Sequence, residues 1–487
     1  MSSCIFSYYI GEGNITFKEL TNRYRFGKYT VLADSRTPYV SAGDEKSECA
    51  IFGFAVNVIT RESERLAEKI ISCCYGISDV VAFEKELGGK YLILYRDKEQ
   101  YFILSDATCS VPVFYNMGKN FACSSNSQYL VEHYGYLPDQ EFERIRNSGD
   151  ISQAMPYDIT RYREIKQLIP NHYLSVNKRT AVRFINTGCV QSTLTAEKAS
   201  NIVAPMIEAI SDYYKSLFKV YCPITSGRDS RVVLAFLSGN DTAVQCYTIR
   251  HPEHCGGEQD LVVPKQLCSE NKMPYEQISD VEVSEDLKKE MDCLLGENNY
   301  SYRTLRIAQT ILEHYGDGAV INGDIIGQVG KCSLHRDIPL CFATPAYFRC
   351  KLHNYSDEAK KQLRLWMREI KNSGECVDIF DLFSIENRMG RWAGQENLIY
   401  NSLGQVYLNI FNSRSIIYVW TAVRRRERKR SRIHVNLIKN KMPALLEIPF
   451  ESDESKIIQL SKANGLTYLL ASYAKYYIER LRFKRGN

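Results

Sequence analysis

The sequence predicts an α/β chain in two parts: an N-terminal α+β half of antiparallel sheets with covering helices, then a parallel-sheet half ending in helices. Three observations carry this. Up to about residue 185, short β-branched and aromatic runs are separated by turn residues. After about residue 193, strand-like and helix-like runs alternate, as in parallel strands joined by crossover helices. Near the start of that second part lies "TSGRDS" (225–230), a run of small residues at a strand-to-helix junction, where parallel sheets gather ligands.

In the first half, "ECAIFGFAVNV" (48–58), "KYLILYRD" (90–97) and "QYFILSD" (100–106) read as strands, punctuated by Gly88-Gly89 and Asp97-Lys98. Between them, residues 61–76 have helical periodicity, with Leu66, Ile70, Ile71 and Cys74 on one side. A further strand pair is expected over 163–185, turning at Asn177-Lys178. The second half opens on an amphipathic helix capped by Thr195. Then come "KVYCPI", "SRVVLAFL", "AVQCYTI", "QDLVVPKQLCSEN" and "GAVIN" (318–322), and from about 355 the chain reads as mostly helical. Pro223 sits awkwardly in its strand, since it cannot donate to the ladder.

Composition narrows the class. The length of 487 residues favours two or three domains. A hydrophobic content of 44% with 24% charged residues is ordinary for a soluble protein, and a net charge of +5 implies neither nucleic acid nor membrane. None of the 16 cysteines forms a C-x-x-C pair, so a zinc or iron–sulfur reading is poor. The N-terminus lacks the pattern of a signal peptide, and no apolar run reaches the roughly 18 residues of a membrane span. A cytoplasmic protein with reduced cysteines is expected.

The "TSGRDS" loop suits a phosphate group. Small residues let the backbone approach, and the helix that follows presents free N–H groups and a partial positive charge. Thr225, Ser226 and Ser230 add hydroxyls, and Asp229 is able to hold magnesium beside phosphate oxygens. No Gly-Lys-Ser/Thr and no G-x-G-x-x-G occurs in the chain. A plain turn is the competing reading.

The loop resembles the Ser-Gly-Gly-x-Asp-Ser motif of the ATP-pyrophosphatase, or PP-loop, enzymes: Thr225 and Ser226 stand at its first two positions, while Gly227, Asp229 and Ser230 match. Asp260 matches the acidic residue that opens a later helix in asparagine-synthetase-like enzymes. "VINGDIIGQVGK" (320–331) is similar to that family's second phosphate-side segment, with Asp324 at the magnesium-binding aspartate. Residues 87–115 and 162–176 resemble the glutamine-amidotransferase (Ntn-hydrolase-like) domain that precedes the synthetase.

The resemblance implies an amidotransferase-like domain over 1–190 and a PP-loop synthetase domain over 191–487. It implies an AMP- and pyrophosphate-forming amide ligase using ATP and Mg2+. Asp229 and Asp324 would hold the metal; Thr225, Ser226, Gly227, Arg228 and Ser230 would grip phosphate; adenine would lie near Tyr247, Thr248 and Ile249. Lys456 is the candidate for the family's pyrophosphate-steadying lysine. The partners would be a small-molecule, peptide or glycan carboxylate and an amine donor, with no nucleic acid, and the chain is compatible with a homodimer.

Two departures stand out. Family glutaminases carry cysteine directly after the initiator Met, with its freed amine as base; here that position is Ser2, and Cys4 lies further in. The N-terminal half is therefore expected to be a scaffold, as in the β-lactam-synthetase branch. Asparagine synthetases place a glutamate three residues before the aspartate, and that position is Ile321, which takes no proton. The alternatives are an RNA-modifying PP-loop enzyme and a non-catalytic nucleotide-binding relative.

Four lesser features have bland competitors. Seven basic residues within 423–432 read better as a solvated helix face than as a nucleic-acid patch. Arg228 and Arg231 are either a local ion-pair set or phosphate contacts. His251, His254 and Cys255 belong to an expected loop over the pocket. Arg388, Arg391 and Trp392 are expected in helix packing.

Overall fold

A glycine explains how one of the two eleven-residue strands of the N-terminal half is seated. Gly89 has φ +131, and a Cβ there would lie 2.1 Å from the Phe54 carbonyl oxygen on the neighbouring strand. Only glycine lets these two backbones meet with that geometry. The computed structural model describes residues 4–118, 120–147, 155–184, 193–239, 244–250, 258–295, 302–331, 338–354, 356–450 and 465–485.

The N-terminal half contains β1 (Tyr8–Gly11), β2 (Asn22–Phe26), β3 (Tyr29–Ala33), β4 (Tyr39–Gly43), β5 (Ser47–Asn57), β6 (Leu87–Asp97), β7 (Gln100–Ser105), β8 (Phe114–Asn116), β9 (Ala122–Ser124), β10 (Ile165–Gln167), β11 (His172–Ser175) and β12 (Thr180–Arg183). They form two six-stranded sheets, β10-β8-β9-β1-β3-β2 and β12-β11-β7-β6-β5-β4, antiparallel throughout. The stacking of the two sheets follows from alternation: Phe52, Phe54, Leu92 and Leu94 of one sheet share a core with Tyr8, Ile10 and Val31 of the other. The helix expected over 61–76 is Leu66–Cys73, and a second helix, Ile77–Glu84, follows beyond Gly76. The strand pair expected over 163–185 is β11 with β12, while Ile165–Gln167 leaves to pair in the other sheet.

The second half opens on the helix Ala196–Leu217, whose Thr195 side chain accepts from the Lys198 N–H. Five parallel strands follow: β13 (Val220–Pro223), β14 (Gln245–Arg250), β15 (Tyr275–Ser279), β16 (Ala319–Asn322) and β17 (Val406–Asn409). Their order is β15-β14-β13-β16-β17. The chain starts at the centre, walks outward through β14 and β15, then returns to the other side of β13. The order therefore reverses between β13 and β16, and a doubly wound sheet opens its ligand crevice at the carboxyl ends of such a pair. Pro223 is tolerated because it is the last residue of β13.

Two strands depart from the sequence expectation. β15 was not among the expected runs, and β17 is a short strand within the end expected to be mostly helical. The division expected near residue 190 falls among 185–192, outside the described residues. One core runs across it, joining Phe54 and Val58 to Ile207, Ile210, Ile321 and Trp420. No helix among the described residues is long and apolar enough to cross a membrane.

Candidate functional site at the sheet's reversal point

The site begins where β13 and β16 end. After Pro223 the backbone turns through Ile224–Gly227 into the helix Arg228–Leu237. Gly227 caps that helix with no side-chain bond, so its first N–H groups are left for another acceptor. The loop is braced from within: Thr225 N–H donates to Ser230 Oγ (3.2 Å), and Gly227 N–H to Thr225 Oγ1 (3.2 Å). Ser226 turns aside, its N–H and hydroxyl both donating to Asp260 Oδ1 at 2.7 and 2.5 Å. Asp260, matched in the sequence only by its place at a helix start, thus holds the loop's shape.

Arg231 is scaffolding. It is fully buried, and its guanidinium donates to the carbonyls of Leu445, Ile448, Ser226 and Pro449. Burial, reinforced by Arg228, pushes it down to about 10. Arg228 lies over the Phe450 ring, 4.6 Å from its centroid.

Asp229 projects from the first helical turn toward the segment after β16. Lys331 Nζ donates to its Oδ2 at 2.7 Å, and His434 Nε2 lies 2.8 Å from its Oδ1. Burial alone would raise this carboxyl, but His434 and Lys331 outweigh it and hold it at about 2. Burial pushes the His434 ring below its usual value, against the opposing pull of the Asp229 carboxylate. The close approach of the two loops depends on Gly327, where a Cβ would stand 2.8 Å from Asp229 Oδ2.

Asp324 follows β16 directly. Its N–H donates to Asn322 Oδ1 (3.1 Å), and its Oδ2 accepts from the Tyr407 hydroxyl (3.2 Å). Burial, aided by the Asp229 charge and opposed by Tyr407, raises it to about 6. Ile321, at the position of the family's glutamate, is fully buried in the core.

Beside Asp324 is a carboxyl that sequence reasoning missed. Glu396, on the helix Gly394–Ser402, is raised to about 8 by burial and by Asp324, against a hydrogen bond from Thr304. A cavity of about 20 Å³ touches Glu396, Asp324, Tyr407 and Asn412, and its far wall is Lys90 from β6. That volume suits a water-sized group. The buried Lys90 ammonium donates to Asn397 Oδ1 and Asn401 Oδ1 at 2.9 Å and to the Tyr407 carbonyl at 3.2 Å. Burial, opposed by Asp106, pushes it down to about 7. No local signal marked Glu396, Lys90, Lys331 or His434; only the tertiary fold gathers them.

The remaining expectations fall as follows. Tyr247 is buried, its carbonyl accepting from Ile224 N–H, and the Thr248 hydroxyl donates to the Ile224 carbonyl; both support the loop's first residue. Ile249 is half-buried at the same strand end. Cys4 is buried, and burial raises its thiol above the ordinary value. Arg391 donates to the carbonyls of Met155 and Ile159, which is packing between the halves. Within 423–432, Arg428 is buried on Asp381. Lys456, Ser2, His251, His254 and Cys255 lie outside the described residues.

The magnesium expectation fits the two aspartates unequally. Asp324 stands beside the crevice with a single side-chain donor among the described residues. Asp229 has both oxygens on nitrogen donors, Lys331 and His434. A dication there would lie about 4 Å from the Lys331 ammonium, a repulsion of about 4 kcal/mol per unit of added charge at an effective dielectric of 20. Among the described residues, no group of three or more metal-ligating side chains occurs.

No family model matches the chain. No curated protein matches it either. Among solved structures it is distantly similar to the glutamine phosphoribosylpyrophosphate amidotransferase from B. subtilis complexed with ADP and GMP, at 10% identity and a TM-score of 0.21 over 68% of this chain and 71% of that one. A structure described as the allosteric regulatory enzyme of purine biosynthesis is similar at 9% identity and a TM-score of 0.25, over 66% and 68% of the two chains.

Proposed function

We propose that this chain is an ATP-dependent ligase that adenylates a carboxylate, releases pyrophosphate, and passes the acyl group to an amine with loss of AMP. The observation that carries the reading is the convergence of Asp229 and Asp324, from loops far apart in sequence, at the reversal point of the sheet. An uncapped helix N-terminus, Arg228 and Lys331 supply positive charge at the same place.

In the first step a substrate carboxylate oxygen attacks the α-phosphorus, and the bond to the β-phosphate bridge breaks. Charge grows on pyrophosphate as it leaves. Groups already fixed and aimed at that charge lower the barrier, because they need not reorganise. Lys331 and the first N–H groups of the helix are such groups. In the second step the amine attacks the acyl carbon, the bond to AMP breaks, and the amine must shed a proton. Glu396, poised at about 8, takes it in place of the missing glutamate at Ile321. Magnesium arriving with the nucleotide would supply Lewis acidity and would find its carboxylate in Asp324.

The N-terminal half contributes a wall rather than a glutaminase. Its Lys90 closes the cavity beside Glu396, while Cys4 has a thiol, not a thiolate. The test is pyrophosphate release from ATP with a panel of small-molecule, peptide and glycan carboxylates, together with ATP-induced thermal shift. Release that depends on a carboxylate supports the reading; neither release nor a shift overturns it.

A further inference from the structure

Resting on the polyphosphate site described above, we propose that Lys331 is the resident cation of this site and that polyphosphate binds without a divalent ion at Asp229. Three features of the geometry point there. First, the ammonium lies 2.7 Å from Asp229 Oδ2, and the pair is partly open, each side chain being 32% exposed. One Nζ–H is spent on Asp229, and an ammonium carries three. The other two have no acceptor among the described residues and would meet phosphate oxygens at the mouth of the crevice.

Second, the carboxylate cannot swing away to receive a metal. His434, fully buried on the helix Arg432–Lys441, fixes its other oxygen at 2.8 Å. Asp229 is therefore a positioning residue that aims Lys331, held in turn by His434.

Third, the fold makes room for this approach at a cost in backbone freedom. Gly327 stands where any side chain would collide with Asp229 Oδ2, and Gly323 faces the Asp229 backbone, its Cβ position 3.3 Å from the carbonyl. An exposed ion pair of no consequence would not require two glycines to bring its partners together. A lysine as a point charge suits phosphate, and placed here it does electrostatically what a dication would do.

The test uses the full-length protein and inorganic pyrophosphate as probe, by isothermal titration calorimetry in EDTA and in excess Mg2+. The expected result is binding in EDTA, with Lys331→Met weakening it about 30-fold through loss of a charge-assisted contact and Lys331→Arg keeping most of it. Unchanged melting of the Lys331→Met protein without ligand excludes misfolding as the cause. Binding that requires Mg2+ and is the same in Lys331→Met would overturn the inference and leave the ligase reading standing. Absence of pyrophosphate and ATP binding in both buffers would remove the ligase reading and the inference together.

Discussion

Ser226 gives both its amide and its hydroxyl to one oxygen of Asp260, so the loop at 225–230 is shaped by a carboxylate from the next helix rather than by its own sequence. Asp260→Ala removes two hydrogen bonds to a charged acceptor, each worth about 1.5–3 kcal/mol. The helix Gln259–Glu270 still packs through Val263, Leu267 and Cys268, so global stability falls less than nucleotide affinity. ATP-dependent thermal shift is expected to shrink strongly while the ligand-free melting point moves by a few degrees.

Glu396→Gln is expected to separate the two half-reactions. Exchange of labelled pyrophosphate into ATP continues, because adenylation does not use this group. Amide formation falls about 10²–10⁴-fold, the usual contribution of a general base. In the unsubstituted enzyme the rate of amide formation rises with pH toward about 8, where Glu396 loses its proton, and this limb is absent in the variant.

The same groups set the pH dependence of stability. Glu396, raised to about 8, and Asp324, raised to about 6, hold their protons more tightly folded than unfolded. Their effect is to lower stability as pH rises from the unfolded carboxyl range through those values. Asp229, held at about 2, acts oppositely: its contribution is complete above the unfolded carboxyl value and disappears as pH falls toward 2. Lys90, pushed down to about 7, acts in the opposite sense above that value, so melting temperature is expected to decline between pH 5 and 7, less steeply in Glu396→Gln. An identical slope in that variant would contradict the assignment.

Glu386 joins the two halves. It is fully buried, accepts from both Arg183 Nη atoms at 2.7 Å, and accepts from Asn171 Nδ2 and Trp366 Nε1 at 2.7 and 2.6 Å. Arg183→Met leaves this carboxylate without its cation, which costs about 3–5 kcal/mol. The unsubstituted chain should unfold in one cooperative transition in urea, and the variant at lower denaturant with the halves separating.

Cys4→Ala is expected to leave every activity unchanged, with glutamine as with ammonia, since burial keeps the thiol protonated. Glutamate production from glutamine that disappears in this variant would restore a glutaminase to the N-terminal half.

Legibility in the sequence followed the range of the forces involved. β5, β6 and β7 were readable because each is a continuous apolar run bounded by turn residues. The Thr195 cap was readable because capping is local. β17 was not, since four residues between helices carry no period of their own, and only pairing with β16 makes them a strand. Asp229 and Asp324 could be named from their loops. Lys331 lies at the end of the quoted second segment, yet nothing in its surroundings announced an ion pair with Asp229. Glu396 and His434 acquire their roles only from what the fold sets beside them.

The carbonyls that hold Arg231 come from residues 445, 448 and 449, so the loop at 225–230 is finished late in the life of the nascent chain. Between synthesis of Arg231 and of Pro449 lie 218 residues, roughly 10–40 s at ribosomal rates. For that interval the guanidinium has only the Ser226 carbonyl of its four acceptors, and the first strands of the parallel sheet wait for β17. A chain released before residue 449 would carry an N-terminal sandwich with its two sheets complete, joined to a loop at 225–230 that has not yet been moored.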